Sequence, residues 1–262
     1  MAKYALLRQR LEAEAAGGRQ LAFIQPHAAT ADELLRVHCR DYVGRVLAGR
    51  LSAAEVRRIG FPWSPELVER SLRSTGAAVD AAAAAMTEGV AASLAGGTHH
   101  AGSNWGEGFC LFNDTAVAAR ELQDRGLVER VLILDCDVHQ GNGTASSLDV
   151  PLEDGTGDDE YLRRLAPAVA ESFERGRPDL VLYIAGADPY AGDRLGRLGL
   201  TQAGLLDRDR LIFQAAAAAG VPLAIVCGGG YCQDLKTVAA IHAATMLEAR
   251  QMLWRAVDTT RS

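Results

Sequence analysis

Apolar positions along this chain follow two rhythms, a helical one and a short unbroken one. Helical spacing predicts a first helix over about Tyr4 to Ala15, ended by Gly17 and Gly18. Thr30 or Asp32 can cap a second helix through Leu34, Leu35 and Val37, and Ser52 precedes another short helical run. Ser64-Pro65-Glu66 is a strong helix start with proline at the first position. The Ala-rich stretch from Glu66 to about Leu94 continues it as one long buried helix or two, stopped by Gly96-Gly97. Asn113 or Asp114 can cap a helix over Thr115 to Gln123, and further helices are predicted over about Asp158 to Glu174, Leu205 to Ala219 and Asp234 to Trp254. Between these lie three unbroken apolar runs, Val128 to Leu134, Leu180 to Ile184 and Pro222 to Val226. Runs apolar on both faces, alternating with helices, predict an α/β fold in which a mostly parallel sheet is covered by helices on each side. No repeat or linker interrupts the pattern, so residues 1–262 read as one domain.

Composition narrows the class. Apolar residues make up 48% of the chain and charged residues 23%, with a net charge of −6, so no basic tract points to nucleic acid. The five cysteines (Cys39, Cys110, Cys136, Cys227 and Cys232) are odd in number and form no CxxC pair, which argues against a disulfide framework and for a reducing compartment. No apolar signal region is present near Met1, and no run approaches the roughly 18 apolar residues of a membrane span. The expectation is a soluble cytoplasmic protein.

Each apolar run ends in polar or glycine-rich sequence. The first leads into Asp135-Cys136-Asp137-Val138-His139-Gln140-Gly141-Asn142-Gly143-Thr144, the second into Ala187-Asp188-Pro189, the third into Gly228-Gly229-Gly230-Tyr231. Ligands of open α/β sheets bind beyond the carboxyl ends of the strands, so the three ends can share one crevice. In extended backbone, residues two apart face the same way, which turns Asp135, Asp137 and His139 together and Cys136 and Val138 away. Asp137, His139 and Asp188 make an O/N/O ligand set that leaves a position for water, the mark of a catalytic rather than a structural zinc site. Zinc brings the pKa of that water to about 7. Amide hydrolysis also needs a base for water and an acid for the leaving amine. The adjacent His99 and His100 can fill both roles, with Asp135 and Asn142 as the candidates to set their tautomers, and Tyr231 can donate to a developing oxyanion. Each element alone has an ordinary structural reading: a turn, a strand-end hydrogen-bond network, a capping acid, a packed aromatic.

The motifs Gly96-Gly97-Thr98-His99-His100-Ala101, Gly108-Phe109-Cys110-Leu111-Phe112-Asn113-Asp114, Asp135 to Thr144, Ala187 to Gly196 and Gly228 to Tyr231 resemble, in this order, those of the histone deacetylase superfamily. The HQGNG and GDRLG forms look closest to its class IV and bacterial branch. That resemblance implies the three-layer arginase/deacetylase α/β fold. It implies zinc on Asp137, His139 and Asp188, with ferrous iron as the alternative. It also implies an acid–base pair, His99 backed by Asp135 and His100 facing Asn142, and a carbonyl-polarising Tyr231. The lysine tunnel would be lined by Gly108 through its carbonyl, by Phe109 and by Leu195. A structural potassium ion beside the zinc would draw on Asp135, Asp137 and His139. The implied substrates are acetyl-lysine side chains of proteins. The alternatives are acetylpolyamines and other small amides, or a weakened paralogue that binds acyl-lysine without turnover. An arginase-like two-metal enzyme is disfavoured by the single ligand set.

Two departures from the pattern stand out. The family begins with a strand and loop before the helix that here opens the chain at Lys3-Tyr4. After Gly143-Thr144 it runs through a further strand, whereas here Ala145 to Val150 leads directly to Pro151-Leu152-Glu153-Asp154-Gly155. The missing stretch supplies an aromatic tunnel wall and potassium ligands, so its absence predicts a tunnel opened on one side and exposed apolar surface.

Overall fold

The computed structural model describes residues 2–254. Along the chain these form α1 (Ala2–Ala16), α2 (Ala31–Leu35), α3 (Arg40–Leu47), α4 (Ala53–Ile59), α5 (Pro65–Glu88), β1 (Val90–Ser93), β2 (Ala101–Gly102), β3 (Trp105–Gly106) and α6 (Asp114–Asp124). They continue with β4 (Val131–Asp135), α7 (Asp158–Gly176), β5 (Leu180–Gly186), α8 (Gln202–Ala219), β6 (Leu223–Gly228) and α9 (Leu235–Leu253). The sheet order is β1-β6-β5-β4, with parallel pairing throughout; β2 and β3 form a separate small antiparallel pair.

Alternation along β5 shows why both faces had to be apolar. Leu180, Leu182 and Ile184 join the core formed with α2, α3, α5 and α6. Val181, Tyr183 and Ala185 join the opposite core, with Ile212, Phe213 and Ala216 of α8 and Ala249 of α9. Helix α1 packs on α9 through Leu7 and Leu11 against Ala239 and Ala243. The capping residues read from sequence close the helices as expected. Thr30 and Ser52 form capping boxes with Glu33 and Glu55, and Ser64 and Asn113 accept from the first turns of α5 and α6. Asp234, expected as the first residue of the last helix, caps α9.

Several elements differ from the sequence expectation. The helix expected to reach Leu94 ends at Glu88, where Gly89 takes a φ of 82°, and residues 90–93 form β1. Val90-Ala91-Ala92-Ser93 has little intrinsic strand preference; parallel pairing with Leu223 to Val226 makes it a strand. The strand expected from Val128 begins at Val131, because the amides of Glu129 and Arg130 turn to the Asp179 carboxylate. The short helix α3, amphipathic through Tyr42, Val43 and Val46, was not among the expected elements. All five cysteines are free. Among the described residues, no helix is long and apolar enough to cross a membrane.

Candidate active site

The tips of β4, β5 and β6 converge as the sheet topology requires. Asp137 and His139 follow β4, Asp188 follows β5, and one ligand atom from each lies within 4.8 Å of the others. His139 Nδ1 is 2.8 Å from Asp137 Oδ1 and 3.1 Å from Asp188 Oδ2. The chain reaches this arrangement by bending rather than by the strand-like alternation expected from DxDxH. Strand β4 ends at Asp135, the Asp137 amide donates to Asp135 Oδ1, and the His139 amide donates to Asp137 Oδ1. Cys136 still points into the core, as expected.

Electrostatics favour a cation here. Asp188 is wholly buried, and its Oδ2 makes no hydrogen bond, lying only near the His139 ring. Burial raises the Asp188 pKa, and the adjacent Asp137 carboxylate raises it further. Burial acts the same way on Asp137, but the His139 hydrogen bond and the nearby His99 outweigh it and hold that carboxyl below its ordinary value. Asp137, which accepts from the ring, and then the facing Asp188 carboxylate push His139 well upward, so the imidazole is drawn into serving as the positive partner of two carboxylates. A divalent ion satisfies the same charge without protonating the ring. The O/N/O donor set suits zinc or ferrous iron. His139 keeps about a third of its side chain exposed, so the cluster opens to one side.

The two adjacent histidines are held by different partners. His99 Nδ1 lies 2.6 Å from Asp135 Oδ2, and His100 Nδ1 lies 2.8 Å from Asn142 Oδ1. The two rings lie 4.2 Å apart between centroids, and His100 lies 6.1 Å from His139 of the candidate ligand cluster. Burial lowers both pKa values, but the Asp135 hydrogen bond outweighs it at His99 and leaves that ring above its ordinary value. At His100 the neutral Asn142 cannot offset burial, so the ring stays below it. Asn142 is in turn held by Glu107, which pairs with Arg58.

Tyr231 completes the ring of groups, edge-on to His139 at 6.0 Å. Its loop is shaped by Gly229 and Gly230 at φ of 53° and 83°; a Cβ at Gly229 would stand 2.3 Å from the Asp188 carboxylate. Gly108 and Phe109 also take positive φ, 53° and 68°. At Gly108 a Cβ would meet the His100 ring at 2.7 Å, so only glycine lets the chain pass there. Phe109 stacks on Phe61 at 4.9 Å, and Phe109 and Leu195 stand half exposed at the rim. A cavity of about 1170 Å³ runs inward from this rim past His99, His100, Asp137 and Tyr231. All eleven site residues expected from the sequence therefore gather around one cavity mouth or the cluster beneath it.

Three supporting groups were not singled out from the sequence. Lys3 reaches the carbonyls of Gly229 and Gly230 and sits 5.4 Å from the Tyr231 ring. Asp193 accepts the Tyr231 amide at 2.6 Å. Arg208 lies fully buried behind the strand tips. Asp193 lies within the GDRLG motif, which does not reveal its partner, and no motif marks Lys3 or Arg208 as part of the site.

Comparison with known proteins agrees with this geometry. The family model described as "Histone deacetylase domain" matches residues 1–149 and 145–247, two segments that meet where the sequence pattern placed the missing stretch. An uncharacterised protein of Picosynechococcus sp. is 40% identical over 254 residues, covering 87% of this chain and 85% of that protein. Histone deacetylase 2 of Arabidopsis thaliana is 30% identical over 84% of this chain and 66% of its own length. The histone deacetylase-like amidohydrolase of Pseudomonas aeruginosa is 30% identical over 78% of this chain and 65% of its own length. The chain thus spans about two thirds of the length of those two named relatives. Among solved structures, the HDA15 HD domain superposes with a TM-score of 0.80 at 24% identity, covering 99% of this chain and 84% of that one. An HDAC homologue complexed with SAHA superposes at 0.73 with 23% identity, covering 87% and 72%.

Proposed function

The chain belongs to the histone deacetylase family, and on that premise we propose that it is a metal-dependent amidohydrolase acting on acetyl-lysine-type amides. The observation that carries this reading is the convergence of Asp137, His139 and Asp188 beneath two imidazoles with separate polar partners. Asp137, His139 and Asp188 would hold the metal, with zinc as the first candidate and ferrous iron as the second. A metal bound there supplies Lewis acidity toward the scissile carbonyl and toward water.

The chain's own groups account for the rest. His99 and His100 handle the protons: one imidazole accepts a proton as water adds to the carbonyl carbon, and a proton passes to the amine nitrogen as the C–N bond breaks. Asp135 and Asn142 each bind the Nδ1 side of one ring, which leaves the Nε2 sides to face the substrate. The Tyr231 hydroxyl donates to the carbonyl oxygen as negative charge develops there. Gly108, Phe109 and Leu195 contact the apolar stem of the substrate, and their position at a rim accepts either a lysine borne on a polypeptide or a free acylated amine.

The test is metal analysis of the purified protein together with turnover of an acetyl-lysine peptide and an acetylated polyamine. Bound zinc or iron with chelator-sensitive hydrolysis is expected. His139→Ala should lose the metal and the activity together. Bound metal without hydrolysis of either substrate would favour the non-catalytic acyl-lysine binder, and a wild-type protein that retains no divalent metal would sink the reading.

A further inference from the structure

The ladder between β4 and β5 stops one step short of the candidate metal ligands. Its last registered pair is Asp135 with Ile184, and the Cys136 amide still donates to Ile184 O at 3.0 Å. The next carbonyls on the two strands, Cys136 O and Gly186 O, do not pair with the neighbouring strand. Both instead face one nitrogen of Arg208 on α8: Nη1 is 2.6 Å from Gly186 O and 3.4 Å from Cys136 O. Cys136 immediately precedes Asp137, and Gly186 stands two residues before Asp188. One guanidinium nitrogen thus bridges the two strand tips that carry the carboxylates. The tips are already close, since a Cβ on Gly186 would lie 2.5 Å from Asp137 Cα.

Arg208 and its neighbour Asp209 are 0% and 1% exposed. An unpaired charge at such a depth is untenable, and Asp209 removes the problem: its Oδ1 lies 3.0 Å from Arg208 Nε and 2.8 Å from Nη2. Asp209 also accepts from the Tyr183 and Thr245 hydroxyls, at 2.6 Å each. As a source of stability alone such a pair is a poor choice, because well-packed apolar side chains commonly do as well. What apolar side chains cannot do is donate to two carbonyls of diverging strands. Arginine suits the task better than lysine, since its planar fork hydrogen-bonds Asp209 through Nε while Nη1 reaches the strand tips.

We infer that Arg208 is a positioning residue that fixes the separation of the β4 and β5 tips, and with it the spacing of Asp137 and Asp188 across the metal. This inference rests on the reading of the site as a metal centre. Its test measures zinc affinity of the whole protein by chelator competition and the visible spectrum of the cobalt-substituted form. Arg208→Lys keeps the buried positive charge but cannot serve Asp209 and both carbonyls. The double variant Arg208→Met with Asp209→Asn removes the pair without leaving a buried charge. Each is expected to keep a folded circular-dichroism signature, weaken zinc binding about 10- to 100-fold and alter the cobalt spectrum. Thr245→Val loosens the same network away from the strand tips; it should lower the melting temperature and leave zinc affinity within about twofold of wild type. Wild-type zinc affinity in a folded Arg208 variant would overturn the inference. So would an equal loss in Thr245→Val, which would reduce Arg208 to general packing. A wild-type protein that binds no zinc or cobalt would instead overturn the metal reading itself.

Discussion

Strands β5 and β4 lie side by side and both feed the candidate site, yet they live in different environments. Every residue of β5 is buried, between β6 on one side and β4 on the other. Strand β4 is the sheet edge, and none of its five residues is buried. The same contrast continues into the ligands: Asp188 after β5 has no exposed surface, whereas His139 after β4 is a third exposed. Beyond β4 the chain runs on through Leu148 and Val150, exposed at 38% and 36%. This is the segment in which the sequence departs from the family pattern and in which the two matched segments of the family model meet. The interior strand supplies rigidity and a desolvated carboxylate; the edge strand supplies access. The ligand cluster is anchored from the covered side, where Gly186, Asp188 and the glycine loop after β6 lie.

That contrast can be broken from either direction. The largest effect is expected at the chemistry itself: Tyr231→Phe should keep its metal and slow hydrolysis about 10²- to 10³-fold, roughly 2.7–4 kcal/mol of transition-state stabilisation. Unchanged turnover would remove the hydroxyl from the mechanism. On the covered side, Gly186→Ala places a methyl against the Asp137 backbone and should destabilise the fold by about 1–3 kcal/mol in denaturant unfolding. A variant as stable as wild type would show that the strand tips are less constrained than their contacts imply.

A smaller effect concerns pH. His242 of α9 is buried with its Nε2 unpaired; burial, helped by the charges of Lys3 and Arg208, lowers its pKa to about 3. A histidine depressed in the folded state contributes stability that is fully present above its unfolded pKa of about 6.5 and is lost as pH falls below it. Between about pH 7.5 and 5.5 the loss from this residue should be on the order of 1 kcal/mol. Asp114, raised by burial to about 6, works with the opposite sign, so the quantity to measure is the difference in slope between wild type and His242→Leu. Equal slopes would show that His242 does not couple to folding. The smallest change is expected on the open side, where Val150→Ser should stay within about 0.5 kcal/mol of wild type in thermal unfolding. A clear loss there would mean that this segment is packed against something.

The sequence by itself determined the α/β class, most helix boundaries and the eleven residues that the fold then brings together at the candidate site. It could do so because helix caps, unbroken apolar strands and short polar motifs at strand ends are local signals, written within a few residues of one another. It also marked the departure from the family pattern after Thr144, beyond the edge strand β4. Only the tertiary structure decided that Val90-Ala91-Ala92-Ser93 is a strand, since its conformation comes from the ladder with β6 and not from its own side chains. Tertiary structure likewise decided that DxDxH converges through bends after β4 and that the half-buried Lys3 and the buried Arg208, each on a helix with other basic residues, are turned toward the site. Which charge a helix turns inward depends on the elements packed against it, and that is settled by contacts between residues far apart in the chain.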